Sequence, residues 1–196
     1  MERLMGLFGW LKRKAAANGG DPLLADWRRR WHELVAEPDA DRTRELATAL
    51  EQLGLPDDEI EIEREMLAGL QQLGTLKTAL AAGDLPVVVT GHKVVASEVC
   101  HFTAPASLPD DPAQPSGRLI VTNARAIFVG GPRATIVPWH SVVETAHDVR
   151  DVLLVKQGPE AMYRFRCNSF ADALCGELLA RHLAGGRRRG TAPSRV

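Results

Sequence analysis

Aromatic residues are scarce in this chain of 196 residues, at 5% with a single tyrosine. A surface that stacks the bases of single-stranded nucleic acid needs several exposed rings, so that class of function is set aside. Cysteines number three, Cys100, Cys167 and Cys175. The count is odd and no CxxC spacing occurs, which excludes a disulfide framework and suits a reducing compartment. No apolar run approaches the ~20 residues of a membrane-spanning helix. Charge of one sign is lacking as well: 24 Lys and Arg stand against 25 Asp and Glu, a net of −1. A duplex-binding domain would carry a basic face, so no nucleic-acid partner is implied. What is present is the mix of an ordinary globular protein, 45% hydrophobic and 25% charged. A domain of ~150 residues already buries roughly 70% of its unfolded surface, so the core needs no metal or disulfide staple.

The near-zero net charge hides an uneven distribution. Residues 1–20 carry a net of +3, residues 21–83 a net of −7, residues 84–184 a net of −1, and residues 185–196 four arginines. The positive charge sits at the two ends. The opening stretch is apolar from Leu4 to Leu11 but interrupted by Gly6 and Gly9, and Lys12, Arg13 and Lys14 follow it. A secretory signal has the reverse polarity and a longer apolar region, so no export is read here. At 100° per residue Met1, Leu4, Met5, Phe8 and Leu11 share one side, extended by Leu7 and Trp10. Such a helix suits an anionic membrane surface, through Leu4, Phe8, Trp10 and Leu11 for the apolar boundary and Lys12, Arg13 and Lys14 for phosphates. The two glycines and the short length make a disordered tail the bland alternative.

Residues 21–83 read as three helices. Asp21-Pro22 starts the first, on which Leu24, Trp27, Trp31, Leu34 and Val35 recur at helical spacing until Pro38. The second spans about Asp41 to Leu53, closed by Gly54-Leu55-Pro56. The third is expected to start at Asp57-Asp58-Glu59 and to continue through Leu76 and Leu80 to Gly83, with Gly74 leaving room for a kink. From Leu85 onward β-branched clusters alternate with Gly, Pro and Asn. They predict strands near 87–90, 96–103, 118–122, 125–129, 134–138, 142–147, 151–156 and 161–166. Asn123-Ala124 reads as a two-residue hairpin turn with Asn at positive φ, and 103–117 as a long loop. One helix follows, capped by Asn168 or Ser169, with Phe170, Leu174 and Leu178 expected to plug the strands and Gly185-Gly186 to end it. Residues 185–196 are expected to form a disordered basic tail. The segments 1–20, 21–83 and 84–184 are expected to be distinct units, the last folding on its own.

The order of antiparallel strands followed by one helix is that of an α+β fold, a helical region and then a small curved β-barrel capped by a C-terminal helix. The run Gly117-Arg118-Leu119-Ile120-Val121-Thr122-Asn123-Ala124-Arg125-Ala126-Ile127-Phe128 resembles the G-x-L-x-x-T-x-x-R-x-x-F hairpin of GRAM and bacterial pleckstrin-homology (PH)-like domains. Ala134 to Val142, with Ile136 and Pro138, resembles the strand that follows it in those domains, and the match spans roughly residues 85–184. The resemblance implies a non-enzymatic module that binds lipid head groups or proteins. Members that grip phosphoinositides place Lys and Arg around the first hairpin loop. Residues 104–116 here hold two aspartates and no basic residue. Lys93, Arg118, Arg125 and Arg133 are the remaining candidates for an anion or head group, against the plainer reading of solvated strand ends.

Chemistry finds little support. His92, His101, His140 and His147 lie among the strands, but Cys100-His101 are neighbours on a strand and point to opposite faces. HExxH, paired CxxC, GxSxG and P-loop patterns do not occur, so no metal, cofactor or catalytic residue is assigned. The hairpin turn places Leu119, Val121, Ala126 and Phe128 on one face, and Ile120, Ile127, Val129 and Ile136 on the other. Both faces are apolar, so a cover is expected over the second. The helices at 21–83 are the nearest candidate, and a homodimer contact is the other way to hide it. The reading is an intracellular bacterial protein and a non-catalytic interaction module. It binds a protein through the acidic helical region or an open sheet edge near 139–147, or an anionic membrane peripherally through its basic ends. A cleft between the two regions would be the place for an enzyme.

Overall fold

The computed structural model describes residues 22–95, 97–158 and 162–190, with the backbone alone for 187–190. Helix α1 spans Pro22–Ala36, α2 Ala40–Gln52 and α3 Glu61–Ala81. Pro22 takes the first helical position as its fixed φ suggests. Asp39 caps α2 by accepting the Arg42 N–H at 2.8 Å. The α1 stripe of Trp27, Trp31, Leu34 and Val35 is buried against Leu46, Leu50, Met66, Leu70 and Leu73. Both indoles find acceptors inside this core: Trp27 Nε1–H donates to Leu46 O at 2.8 Å and Trp31 Nε1–H to Met66 O at 2.7 Å. Helix α3 starts later than the acidic run suggests, because Asp57–Glu59 form a turn in which Asp57 pairs with Arg64 at 2.7 Å. The helix then runs unbroken past Gly74 to a close at Gly83, whose φ is +87°.

Seven strands follow: β1 Cys100–Ser107, β2 Ser116–Thr122, β3 Arg125–Val129, β4 Thr135–Pro138, β5 Val142–Asp148, β6 Asp151–Lys156 and β7 Met162–Cys167. They form one antiparallel sheet in the order β4-β3-β2-β1-β7-β6-β5, with β4 and β5 as its two edge strands. Helix α4, Phe170–Gly190, crosses behind it. The architecture is α+β, an open seven-stranded antiparallel sheet capped by a C-terminal helix.

Local differences from the sequence reading have physical causes. Residues 87–90 are not a strand; Val88 N–H donates to Cys100 O at 2.8 Å and the segment continues into a 3-10 turn at Lys93–Val95. Strand β1 begins later and runs through Ala104-Pro105-Ala106, so the loop shrinks to 108–115. The hairpin turn at Asn123-Ala124 forms, but Asn123 is not at positive φ. Instead Thr122 Oγ1 accepts the N–H groups of Ala124 and Arg125, each at 3.1 Å, and Asn123 reaches sideways to accept Val99 N–H at 3.3 Å.

Register pairs Leu119 with Phe128 and Ile120 with Ile127, so the hairpin has the two apolar faces expected. Its outer face is covered, though not by the helices. Val95 and Cys100, with Val88, Val94, Val129 and Ala134, close over Ile120 and Ile127, leaving Ile136 43% exposed. Arg125 secures this cover through an ion pair to Glu98 at 2.9 Å and a bond to Val94 O at 3.4 Å.

The helices pack on α4, which serves two cores. Its Phe170 and Leu174, with Leu178 at the margin, belong to the helical cluster rather than plugging the sheet. The sheet is filled by Ala173, Leu179, Ala180 and Ala184 against Phe128, Trp139, Leu154 and Phe165. Periodicity shows that α4 has two apolar faces without saying which meets which partner. Close approach depends on glycine: a Cβ at Gly69 of α3 would stand 3.0 Å from Ala171 N, and one at Gly176 would stand 3.1 Å from Phe102 Cε1. Glu65 fixes the junction, accepting the Phe170 N–H at 2.9 Å and pairing with Arg150, whose guanidinium lies over the Phe170 ring. Helix α4 also passes through Gly185-Gly186 to Gly190, so the tail boundary expected there falls inside a helix. Residues 191–196 lie outside the described residues.

Candidate interaction surface

Edge strand β5 and helix α4 run antiparallel and leave a groove between them. Thr145 Oγ1 donates to Glu177 Oε1 at 2.6 Å and ties the strand to the helix at one point. From there the strand runs back to Val142 as the helix advances to Gly185. The register with β6 shifts between Val142 and Glu144, a bulge that turns Val143 outward to 45% exposure. Val142, Val143 and Thr145 form one wall and Arg181, Ala184 and Gly185 the other, enclosing about 240 Å³. An added Cβ at Gly185 would meet nothing within 4 Å, so this wall is open.

Beyond Thr145 lies a narrower crevice of about 40 Å³ where α1, α3, α4 and β5 meet. Val35, Leu73 and Leu174 supply its apolar walls, and Lys77, His147 and Arg181 its polar ones. Glu177 is only 4% exposed and is satisfied from two sides, by Thr145 and by Arg181 at 3.3 Å. Arg181 therefore borders both hollows. Burial holds the His147 imidazole below its ordinary pKa, with Arg181 lowering it further and Glu177 and Asp148 opposing. Burial and the nearby His147 lower His32 as well, against Asp148. Asp148 is raised, by burial and then by Asp151. Burial pushes the Cys167 thiol up to about 12 and Cys175 to about 11, which holds both protonated at neutral pH.

The four cations singled out from sequence do not converge. Arg118 pairs in register with Val129 and Arg125 with Pro138, at opposite ends of the β2–β3 hairpin. Arg118 bonds Thr103 Oγ1 at 3.3 Å, Arg125 is committed to Glu98, and Lys93 and Arg133 stand exposed on separate turns. Leu4, Phe8, Trp10, Leu11, Lys12, Arg13 and Lys14 lie outside the described residues. His101 Nδ1 sits 2.7 Å from Pro86 O, and Cys100 Sγ 3.4 Å from Phe102 O. Among the described residues no three His, Cys, Asp or Glu side chains are placed to hold a metal ion, and no helix is long and apolar enough to cross a membrane. Glu177 and Arg181 escape a sequence reading; the one signal is a carboxylate set among the apolar positions Leu174, Leu178 and Leu179.

No protein-family model matches the chain, and no curated protein matches it. Solved structures similar to it include the N-terminal PH domain of human ARAP2, at 9% identity and TM-score 0.36 over 48% of this chain and 87% of that one. The DH/PH domains of p115-RhoGEF are similar at 10% identity and TM-score 0.41, over 81% of this chain and 55% of that one. The C-terminal domain of an unknown protein from Leishmania infantum is similar at 10% identity and TM-score 0.39, over 46% and 88%. Likenesses this distant carry no argument about ligand or partner.

Proposed function

We propose that this chain is a non-catalytic protein-interaction module that takes an extended segment of a partner along the β5 edge, in the groove beside α4. The observation that carries the reading is that β5 is an edge strand with an apolar hollow directly next to it. An edge strand offers its main chain as a template for one more strand, and the neighbouring pocket selects among side chains. The bulge at Val143 sets an apolar side chain outward where such a segment would lie. Gly185 supplies the test. A Cβ added there meets nothing within 4 Å, so Gly185→Phe should keep the fold while enlarging the side chain at the groove wall. Peptides selected by display against the full chain should shift the amides of 142–148 and 181–185 and lose binding to Gly185→Phe. Shifts confined to the acidic helices would overturn the reading.

A second reading rests on residues 1–20, where the apolar stripe Leu4, Phe8, Trp10 and Leu11 precedes Lys12, Arg13 and Lys14. Each basic residue near an anionic surface contributes roughly 1 kcal/mol, so the association would be reversible and salt-sensitive. Residues 1–20 fused to a fluorescent protein should sediment with phosphatidylglycerol vesicles at low salt. A fusion that stays in the supernatant ends this reading.

A further inference from the structure

The crevice where α1, α3, α4 and β5 meet is apolar at its depth and cationic at its mouth. Val35, Leu73 and Leu174 are buried and form its inner walls. Lys77 is exposed on α3, Arg181 on α4 has its side chain 63% exposed, and His147 of β5 is half-buried. Lys77 follows Leu73 by one helical turn, and Arg181 follows Glu177 by one turn, so each helix sets its charge just beyond a crevice wall. Glu177 also lines the space, but both its oxygens are taken, Oε1 by Thr145 Oγ1 at 2.6 Å and Oε2 by Arg181 at 3.3 Å. The Lys77 ammonium has no ion-pair or hydrogen-bond partner among the described residues. At about 40 Å³ the space holds roughly three groups the size of a water molecule.

We infer that this crevice is a binding site for a short-chain aliphatic monocarboxylate, with its hydrocarbon end against Val35, Leu73 and Leu174 and its carboxylate at the mouth between Lys77 and Arg181. The inference is independent of the strand-addition reading, which concerns the groove on the other side of Thr145. An inorganic anion such as phosphate meets the wrong walls. Entering would turn its charged oxygens toward aliphatic side chains and strip their water without hydrogen bonds in return. A purely apolar guest would leave the two cations at the mouth unused. Arginine suits the shared role, since its guanidinium can hold Glu177 through one nitrogen and offer others to a second carboxylate. The size of the space limits the guest to about four carbons.

Acetate, propionate and butyrate titrated into the full chain at constant ionic strength test it, with amide and imidazole resonances followed. All three should move the amides of 73–77, 145–148 and 177–181 saturably. Each added methylene should tighten binding roughly fourfold, the worth of one buried CH2, and octanoate, too long for the space, should lose that gain. The His147 imidazole gives a second readout. Facing it are His32 from α1, Lys77 from α3, Glu177 and Arg181 from α4, and Asp148 on its own strand. A bound carboxylate adds a negative neighbour, so butyrate should raise the His147 pKa and, by reciprocity, bind more tightly at pH 6 than at pH 8. Lys77→Gln should weaken butyrate about threefold and Lys77→Glu roughly tenfold. Neither should lower the melting temperature of the free chain, and Arg133→Gln, on the β3–β4 turn, should leave binding unchanged. Phosphate binding as tightly as butyrate, affinity that ignores chain length, or Lys77→Glu binding like the parent chain would each overturn the inference. So would the absence of saturable shifts at these amides.

Discussion

Arg28 and Glu63 show how much a single partner can matter. The Glu63 side chain is 1% exposed, its Oε1 takes Arg28 Nη2 at 2.6 Å, and its Oε2 has no hydrogen-bond partner among the described residues. Removing one member of such a pair leaves a charge buried alone, which commonly costs 3–5 kcal/mol. Arg28 is itself half exposed, so Arg28→Ala should cost about 3 kcal/mol, at the lower end of that range. Glu63→Gln in the same background should recover part of it, which urea unfolding of the single and double variants would measure. His147 of the crevice and His32 near it give a pH prediction. His32 and His147 have folded pKa values below those of the unfolded chain, so folding favours their neutral forms. As pH falls through the unfolded value near 6.5, the unfolded chain gains protons that the folded one resists, and stability drops. The melting temperature should therefore fall on going from pH 7 to pH 5, less steeply in His147→Gln.

At the level of elements, what the sequence could reveal depended on whether one chemical pattern has one structural outcome. Helices α1 and α2 were legible to within a residue or two because an apolar stripe, Pro38, Asp39 and Gly54 all agree. The β2–β3 hairpin was legible with its register because alternation and a two-residue turn leave little choice. Val87-Val88-Val89 was not, since a β-branched run serves equally as a strand or as an irregular segment from which Val88 alone packs with the cluster over Ile120 and Ile127. Strand β1 was obscured by Ala104-Pro105-Ala106, small residues and a proline that read as loop. The open edge near 139–147 was anticipated, whereas Glu177 and Arg181 were not, because helical spacing does not say which face of α4 meets β5. Two substitutions probe these elements. Leu174→Ala should cost about 2–5 kcal/mol through the helical cluster. Val149 holds φ +55° in the β5–β6 turn, a conformation that costs a β-branched residue roughly 1–2 kcal/mol. Val149→Gly should thus raise stability by about 1 kcal/mol in the same unfolding experiment.

For the whole molecule the decisive fact is that α4 contributes side chains to both cores. Residues 84–186 excised alone would bare Phe170 and Leu174, so the fragment should be less stable than the full chain and prone to aggregate. The intact chain should unfold in one transition, with calorimetric and van't Hoff enthalpies in agreement. Two separated transitions would mean that the helices and the sheet are independent after all.

The buried indoles turn this expectation into a spectrum. Trp27 and Trp31 donate their Nε1–H groups within the helical cluster, and Trp139 donates its own to Thr122 O at 2.8 Å inside the sheet. None of these protons reaches solvent unless its core opens. In D2O all three resonances should outlast the exposed amides by orders of magnitude. Denaturant added in small steps should accelerate their decay in parallel, whereas loss of the Trp27 and Trp31 signals ahead of Trp139 would reveal a helical layer that lifts away by itself.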